Sequence, residues 1–267
     1  MKYVLSHLSE IKKMIEEESG PALLLDFDGV LSAIAPTPAE AFISEENKKL
    51  VKACAERFPV AVITGRKLTE IKEKIGITGL LFVASHGLEW EENGKHHIKP
   101  IPKETIEAIN LAKEKIRPLM SSYPGMIYED KSFMFAVHYR IMNKELVDAF
   151  IKEITSILEP IVKQHKLRLD HNLMTFELRP EINWDKGDSV LFAKEYFQKK
   201  GKRKEKPIPI YIGDSDTDED AFVALKENGI TIRVGKTKKS SAKWYMSDQK
   251  EVGVFLKWLL SLQLPPI

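Results

Sequence analysis

The sequence predicts an α/β fold in which a doubly wound, Rossmann-like parallel sheet forms the core and a smaller α+β domain is inserted into it. The prediction depends on two alternating patterns. Short apolar runs, typical of strands buried on both faces, alternate with segments whose apolar residues recur at helical spacing. The apolar runs are residues 22–27, 58–63, 80–84 and 209–212, and the helical segments are residues 44–57, 68–75, 186–200 and 249–260.

The middle of the chain has a separate α+β pattern with its own apolar residues. We expect helices over 103–119 and 143–158, two strands within 126–139, and a hairpin over 167–178. A stretch with its own core forms a domain, so we assign residues 99–181 to the inserted domain and residues 1–98 and 182–267 to the core. Directly before this boundary, Asn93-Gly94 lies between polar, strand-like flanks and predicts a further hairpin.

The composition excludes several classes of protein. A chain of 267 residues with 43% hydrophobic residues can bury a sizeable core, which argues against disorder. Lys and Arg number 41 against 39 Asp and Glu, and a net charge of +2 does not predict a nucleic-acid partner. No apolar run approaches the ~20 residues that span a bilayer, and the single cysteine, Cys54, fits a reducing compartment. We therefore expect a cytoplasmic protein with no nucleic-acid or membrane partner, and an exposed loop over the basic run 199–206.

Two carboxylates lie at the end of the first apolar run. Asp26 and Asp28 lie two residues apart in the segment LLLDFDGV (23–30), and the two-residue period of a strand points them the same way. Ligands of open α/β sheets bind beyond the carboxyl ends of the strands, so an acidic pair there predicts a site. The motif alone also fits a strand followed by an Asp-Gly turn.

Three further element ends supply the other groups that a phosphoryl-transfer site requires. Thr64 offers a hydroxyl to a phosphoryl oxygen, and Lys186 supplies fixed positive charge. Asp26, the backbone carbonyl of Asp28, and Asp214 offer the hard oxygen ligands that Mg²⁺ prefers. Each of these motifs, taken singly, is also typical of a helix start.

The acid-rich segment 214–220 superficially resembles a calcium-binding loop. An EF-hand requires Gly at its sixth position and Glu at its twelfth, where this chain has Glu219 and Leu225. We therefore exclude a calcium loop. The later acids of the segment are expected to stabilise a helix N-terminus through the helix dipole, which leaves Asp214 and Asp218 as the metal-ligand candidates.

The order of these motifs resembles that of the haloacid dehalogenase (HAD) superfamily of phosphatases, with DFDG at 26–29, Thr64, Lys186, and GDSDTD at 213–218. The resemblance implies that Asp26 attacks phosphorus to form an aspartyl-phosphate, and that Asp28 protonates the leaving group and then activates water. Covalent catalysis splits one difficult displacement in two, and Mg²⁺ offsets the repulsion between carboxylate and phosphate. The insertion between Thr64 and Lys186 resembles the C2 type of cap, which generally selects the substrate.

The strands expected in the inserted domain alternate apolar with charged positions. Glu129 and Lys131 share one face of a strand, His138 lies on the next, and Glu177 and Arg179 share a face of another. A solvated outer face explains such a sheet. Closely set carboxylates and cations also suit the hydroxyl groups of a sugar.

Longer sequence segments in the core domain and in the inserted domain resemble those of trehalose-6-phosphate phosphatases: SHGLE at 85–89, EDKS at 129–132, HYR at 138–140, ELRP at 177–180 and GDSDTDEDAF at 213–222. The resemblance implies that Glu129, Lys131 and Glu177 contact the distal glucose, and that Arg66 and His86 lie near the phosphosugar. We therefore expect a small sugar-phosphate substrate, trehalose 6-phosphate, and Mg²⁺ as cofactor. A trehalose-phosphate synthase, which some relatives carry fused to the phosphatase, is a candidate partner that the sequence does not itself identify.

Alternatives to this function remain open. Within the superfamily, sucrose phosphate and mannosyl-phosphoglycerate are alternative substrates, and phosphotransfer between sugars is an alternative reaction. Outside enzymes, the alternative is a catalytically inactive regulator that binds a sugar phosphate, although such a protein would be free to lose site residues that are all present here. Many relatives have a second acid directly after the metal aspartate, where this chain has Ser215, which alters the expected outer shell of the metal.

Overall fold

The computed structural model describes residues 1–172, 174–200 and 206–264. The strands are β1 Lys2–Tyr3, β2 Pro21–Leu25, β3 Val60–Ile63, β4 Leu81–Ala84, β5 Glu89–Glu92, β6 Lys95–Ile98, β7 Ile127–Asp130, β8 Phe135–His138, β9 Leu167–Asn172, β10 Thr175–Pro180, β11 Ile208–Gly213, β12 Ile230–Val234 and β13 Trp244–Met246. The helices are α1 Leu8–Glu16, α2 Glu45–Ala55, α3 Leu68–Ile75, α4 Lys103–Ile116, α5 Leu119–Ser122, α6 Lys144–Gln164, α7 Lys186–Lys200, α8 Glu219–Ala224 and α9 Lys250–Ser261. Short 3₁₀ helices occupy Val4–Ser6, Pro38–Glu40, Ser85–Gly87 and Asp216–Asp218.

The chain divides into two compact units. The first comprises Met1–Ala35, Ala39–Ile98 and Trp184–Ile267, and the second comprises Pro36–Pro38 and Lys99–Asn183. The second unit thus begins where the sequence placed the inserted domain and ends two residues later than expected. The short segment Pro36–Pro38, which the sequence assigned to the core, groups with the second unit.

The first unit is built on a nine-stranded sheet in the order β1-β13-β12-β11-β2-β3-β4-β5-β6. Neighbouring strands are parallel from β1 through to β4, as the buried apolar runs predicted. Alternate residues of β2 enter two different hydrophobic clusters: Leu23 and Leu25 belong to one, and Ala22 and Leu24 to the other. Successive side chains of a strand point to opposite faces, so both faces of the sheet are covered by helices. The predicted α/β core is confirmed.

The hairpin predicted at Asn93-Gly94 is confirmed. β5 and β6 are antiparallel, and Glu92 pairs with Lys95 across the turn. Both turn residues have positive φ, 49° for Asn93 and 77° for Gly94, as a two-residue type I′ turn requires. The hairpin adds two antiparallel strands to the edge of the parallel sheet next to β4.

The second unit is a four-stranded antiparallel sheet, β7-β8-β10-β9, with an apolar face and a polar face. Phe135, Val137, Phe176 and Leu178 alternate along β8 and β10 and pack in one hydrophobic cluster with residues of α4 and α6. Residues at the intervening positions point to the opposite face. The expected strands and helices are present, although α6 continues to Gln164, beyond the expected end at 158.

Among the described residues, no helix is both long and apolar enough to span a membrane. The predicted exposed loop at 199–206 falls mostly outside them: Lys199 and Lys200 end α7, and residues 201–205 are not described.

Candidate active site

Three polar segments meet at one edge of the sheet in the first unit. β2 lies between β3 and β11 and pairs in parallel with both. Because the carboxyl ends of parallel strands lie at the same edge of the sheet, β2, β3 and β11 lead side by side into Asp26, Thr64 and Asp214. The topology therefore brings together predicted site residues that are far apart in the sequence.

Lys186 joins Asp26 to Asp218. It is the first residue of α7, and its buried Nζ donates hydrogen bonds to Asp26 Oδ2 at 2.5 Å and to Asp218 Oδ1 at 2.6 Å. Asp26 Oδ1 accepts the backbone N–H of Phe27 at 2.7 Å. Buried carboxylates are costly unless they are paired and hydrogen-bonded. Here one cation pairs with both acids and fixes the carboxylate of Asp26.

Asp26, Asp214 and Asp218 form a compact acidic cluster, in which one carboxylate oxygen of each residue lies within 4.8 Å of the others. Burial, opposed by Lys186 and reinforced by Asp218 and Asp214, raises the pKa of Asp26 well above its ordinary value. Burial and the charge of Asp218 raise the pKa of Asp214 to about 6. Burial would also raise the pKa of Asp218, but Lys186 lowers it to about 2. A divalent cation would relieve this repulsion, so the donors fit Mg²⁺.

Asp218 uses both carboxylate oxygens within the protein. Oδ1 accepts the Tyr211 hydroxyl at 2.5 Å in addition to Lys186. Oδ2 accepts the N–H groups of Asp214 and Ser215 at 2.9 and 2.8 Å, and the Ser215 hydroxyl at 2.8 Å. Asp218, predicted as a metal ligand, therefore lies in the acidic cluster but also orients Lys186 and the loop that carries Asp214.

Tyr211 was not identified from the sequence. Its side chain is fully buried on β11, and its hydroxyl is a further donor to the acidic cluster. In the sequence, Tyr211 stands out only as a hydroxyl-bearing residue in an apolar strand. A tyrosine in a core commonly donates its hydroxyl to whichever acceptor is near, so the sequence does not indicate a role at the site.

The backbone after Asp28 lies against Asp214. Gly29 has φ +69°, and a Cβ atom added to it would lie 2.0 Å from Asp214 Oδ2. Only glycine permits this close approach of backbone and carboxylate. Asp28 contributes no carboxylate oxygen to the three-residue acidic cluster, so its predicted role as a metal ligand depends on its backbone carbonyl.

The carboxylate of Asp28 is held by Arg66. Arg66 Nε and Nη2 donate to Asp28 Oδ2 and Oδ1, both at 2.8 Å, and Arg66 Nη1 donates to Glu70. The Arg66 side chain is only 7% exposed, whereas that of Asp28 is 44% exposed. A bidentate pair of this kind fixes orientation as well as distance. Arg66, predicted near the phosphosugar, thus orients Asp28 in this structure.

A strained turn places His86 beside Thr64. Ser85 and His86 have positive φ values of 49° and 54°, which cost on the order of 1 to 3 kcal/mol each and persist where the surroundings enforce them. The N–H of His86 donates to Thr64 O at 3.3 Å. A Cβ atom added to Gly65 would lie 2.6 Å from His86 Nε2. The imidazole therefore packs on the backbone of Gly65.

The polar face of the second unit carries the three predicted sugar-binding residues. Lys131, which is 7% exposed, donates to Glu177 Oε1 at 2.7 Å, and its Nζ lies 3.8 Å from Glu129 Oε2. His138 Nε2 lies 2.8 Å from Glu129 Oε2, and His138 Nδ1 lies 3.0 Å from Thr175 Oγ1. The structure thus brings Glu129, Lys131 and Glu177 together and adds His138 to the group.

The chain is similar to known proteins over nearly its whole length. The sequence profile of the family described as Trehalose-phosphatase matches residues 24–250. A trehalose-phosphate phosphatase of Mycobacterium tuberculosis is 33% identical over 218 residues, which cover 81% of this chain and 54% of that protein. A probable trehalose-phosphate phosphatase D of Arabidopsis thaliana is 32% identical over 269 residues, covering 96% of this chain and 72% of that protein. This chain therefore spans about half the length of its mycobacterial relative.

Solved structures support the same fold. The C-terminal domain of a Candida albicans trehalose-6-phosphate phosphatase superposes with a TM-score of 0.78 at 20% identity, covering 95% of this chain and 96% of that one. A haloacid dehalogenase-like hydrolase from Bacteroides thetaiotaomicron superposes with a TM-score of 0.60 at 14% identity, covering 90% of this chain and 98% of that one. The fold is therefore that of HAD-like hydrolases with a cap.

Proposed function

Because this chain belongs to the trehalose-phosphatase family, we propose that it hydrolyses trehalose 6-phosphate to trehalose and inorganic phosphate. The Asp26–Lys186–Asp218 arrangement carries this proposal. A nucleophilic carboxylate must be held in place and its charge must be balanced. Lys186 does both at 2.5 Å from Asp26, beyond the carboxyl end of a central strand.

We assign the two steps of the reaction to the two acids that flank Phe27. An oxygen of Asp26 attacks phosphorus, the bond between phosphorus and the sugar oxygen breaks, and the departing oxygen takes a proton from Asp28. Water then attacks the phosphorus of the aspartyl-phosphate and gives its proton to Asp28, which releases phosphate and restores the Asp26 carboxylate. Splitting the displacement in two and supplying the proton locally both lower the barrier.

Other residues of the first unit support these steps. Thr64 Oγ1 accepts the N–H of Arg66 at 3.2 Å, so its own proton can be donated to a phosphoryl oxygen. In this structure Arg66 donates to both oxygens of Asp28 and therefore pairs with the ionised carboxylate. To act as the acid, Asp28 must leave this pair and take up a proton before the ester bond breaks. Lys186 stays close to the charge that develops on the phosphoryl group.

The acidic cluster would hold the metal. Asp26, Asp214 and the backbone carbonyl of Asp28 would bind Mg²⁺, with Asp218 orienting the loop of Asp214 beside them. When bound, the ion supplies Lewis-acid stabilisation of the negative charge on the phosphoryl oxygens. The raised pKa values of Asp26 and Asp214, caused by burial and mutual repulsion, support a cation at this place.

We assign sugar recognition to the second unit. Glu129, Lys131 and Glu177 would bind the hydroxyl groups of the glucose that does not react. Charged side chains in close contact offer both donors and acceptors to a disaccharide, and hydrogen bonds to charged groups are the stronger ones. A solvated outer face would not require Lys131 to be buried.

The test is phosphate release from a panel of esters with and without Mg²⁺: trehalose 6-phosphate, sucrose phosphate, mannosyl-phosphoglycerate and an aryl phosphate. We expect the highest kcat/KM for trehalose 6-phosphate and dependence on Mg²⁺, with Asp26→Asn as the inactive control. A higher kcat/KM for another sugar phosphate would mean that this ester, and not trehalose 6-phosphate, is the substrate. Binding of the sugar phosphate without turnover would indicate a regulator, and transfer of phosphate to a second sugar would indicate a mutase.

A further inference from the structure

A buried carboxylate outside the acidic cluster ties together the segments that flank Thr64. Glu89 begins β5 and is 5% exposed. Its Oε1 accepts the N–H of Leu68 at 2.9 Å and the hydroxyl of Ser85 at 2.7 Å, and its Oε2 lies 3.1 Å from His96 Nε2. One side chain therefore joins the first turn of α3, the turn after β4, and the edge strand β6.

The turn that Glu89 holds is the strained one. Ser85 and His86 keep positive φ, a conformation that most side chains avoid unless their surroundings enforce it. Backbone hydrogen bonds restrain this turn: Ser85 N donates to Arg66 O at 2.8 Å, His86 N donates to Thr64 O at 3.3 Å, and Leu88 N donates to Ser85 O at 3.1 Å. Glu89 adds a side-chain restraint, because its carboxylate accepts the Ser85 hydroxyl.

We propose that Glu89 is a positioning residue that acts through His86. By fixing Ser85 to the N-terminus of α3, it keeps the turn in the conformation that packs the His86 imidazole on Gly65, between Thr64 and Arg66. The role of His86 toward the phosphosugar rests on the proposed function, whereas the effect of Glu89 on the position of His86 does not. Without the carboxylate, the turn would relax to negative φ and the imidazole would leave Gly65.

Three variants at β5 separate this role from general stability. Glu89→Ala removes every contact of the carboxylate, and we expect kcat/KM for trehalose 6-phosphate to fall about tenfold or more. Glu89→Gln keeps an oxygen that can accept from Leu68 and Ser85, so most activity should return. Glu91→Ala is the matched control, because Glu91 lies on the same strand and also pairs with α3, through Lys72 at 2.6 Å, but does not contact the turn. It should leave activity unchanged.

A double-mutant cycle tests whether Glu89 acts through His86. If it does, Glu89→Ala should cause no further loss in a His86→Ala background, because coupled residues are not additive. Losses that multiply, or full activity in Glu89→Ala, would overturn the inference. If Glu89→Ala does not fold, Ser85→Ala removes only the hydroxyl contact and must show the same non-additivity.

A spectroscopic measurement keeps this inference separate from the proposed function. The imidazole C–H signals of His86, assigned by their absence in His86→Ala, should shift in Glu89→Ala and stay in place in Glu91→Ala. An unmoved signal in Glu89→Ala would sink the inference whatever the activity. A wild-type protein that hydrolyses no phosphate ester would instead refute the proposed function, while the shift of the His86 signal would still decide the role of Glu89.

Discussion

Lys186 Nζ lies 2.5 Å from Asp26 Oδ2 and 2.6 Å from Asp218 Oδ1, so one cation is shared by the proposed nucleophile and the residue that fixes the Asp214 loop. Burial would lower the pKa of Lys186, but Asp218 and Asp26 raise it above its ordinary value. The two acids therefore stabilise the charged form of Lys186. A substitution at either acid would leave Lys186 paired with the other one.

Asp26→Asn should abolish turnover and leave the fold intact. The amide keeps the shape of the side chain but loses the nucleophilic oxygen and a charged metal ligand. Uncatalysed monoester hydrolysis is so slow that enzymes supply up to ~10²¹-fold acceleration, so little activity should survive. The measurement is kcat for phosphate release, with the melting temperature as a check on folding. Wild-type activity in this variant would contradict Asp26 as the nucleophile.

Asp28→Asn should impair catalysis in a way that depends on the leaving group. The variant loses the proton donor but keeps the backbone carbonyl. General acid catalysis contributes about 10²- to 10⁴-fold, and a sugar alkoxide needs the proton far more than an aryl oxide does. We expect a large fall in kcat for trehalose 6-phosphate and a smaller one for an aryl phosphate. Equal losses on both substrates would argue against Asp28 as the general acid.

Asp214 should make the metal-free protein less stable as the pH rises. Its folded pKa of about 6 lies above the ordinary value of about 3.9, so the folded state binds more protons than the unfolded chain between these pH values. The free energy of unfolding therefore falls with rising pH across this window. The loss is on the order of 3 kcal/mol, at 1.36 kcal/mol per pKa unit.

Asp214→Asn isolates this contribution. In the presence of chelator, the variant should melt at the same temperature as the wild type near pH 4 and at a higher temperature near pH 7. Added Mg²⁺ should raise the melting temperature of the wild type at pH 7 and have less effect on the variant. A constant difference between the two proteins from pH 4 to pH 7 would show that the pKa of Asp214 is not raised.

The sequence predicted the fold because buried parallel strands leave a strong pattern. Apolar runs mark strands covered on both faces, and the site residues at the ends of β2, β3 and β11 follow from that topology. The end of α6 was placed too early. The sequence predicts the end of the helix at residue 158, because a proline two residues later ordinarily ends a helix. In the structure the helix contains Pro160 and continues to Gln164.

Residues that act through a contact distant in the sequence could not be predicted in this way. Tyr211 and Glu89 belong to ordinary strands, and their roles depend on which acceptors and donors the fold brings to them. The same holds for Ser215. The sequence indicates only that Ser215 alters the outer shell of the metal, whereas in the structure it also forms a capping box with Asp218. Ser215 thus holds the loop through this capping box.

The last prediction concerns Lys131, the buried cation on the polar face of the second unit. If Lys131 and Glu177, paired at 2.7 Å, bind the glucose that does not react, their binding energy positions the phosphate and does not break the ester bond. Lys131→Ala should therefore lower kcat/KM for trehalose 6-phosphate about tenfold or more, since a hydrogen bond to a charged group contributes ~1.5 to 3 kcal/mol.

An aryl phosphate has no such sugar, so its hydrolysis by Lys131→Ala should change little. Lys163→Ala is the control for surface charge in the same unit, because Lys163 is exposed on α6 and pairs only weakly with Glu159 at 3.3 Å. It should match the wild type on both substrates. The measurement is a pair of kcat/KM values for each variant. Parallel losses on both substrates in Lys131→Ala, or no loss on the disaccharide, would mean that the polar face of the second unit does not select the sugar.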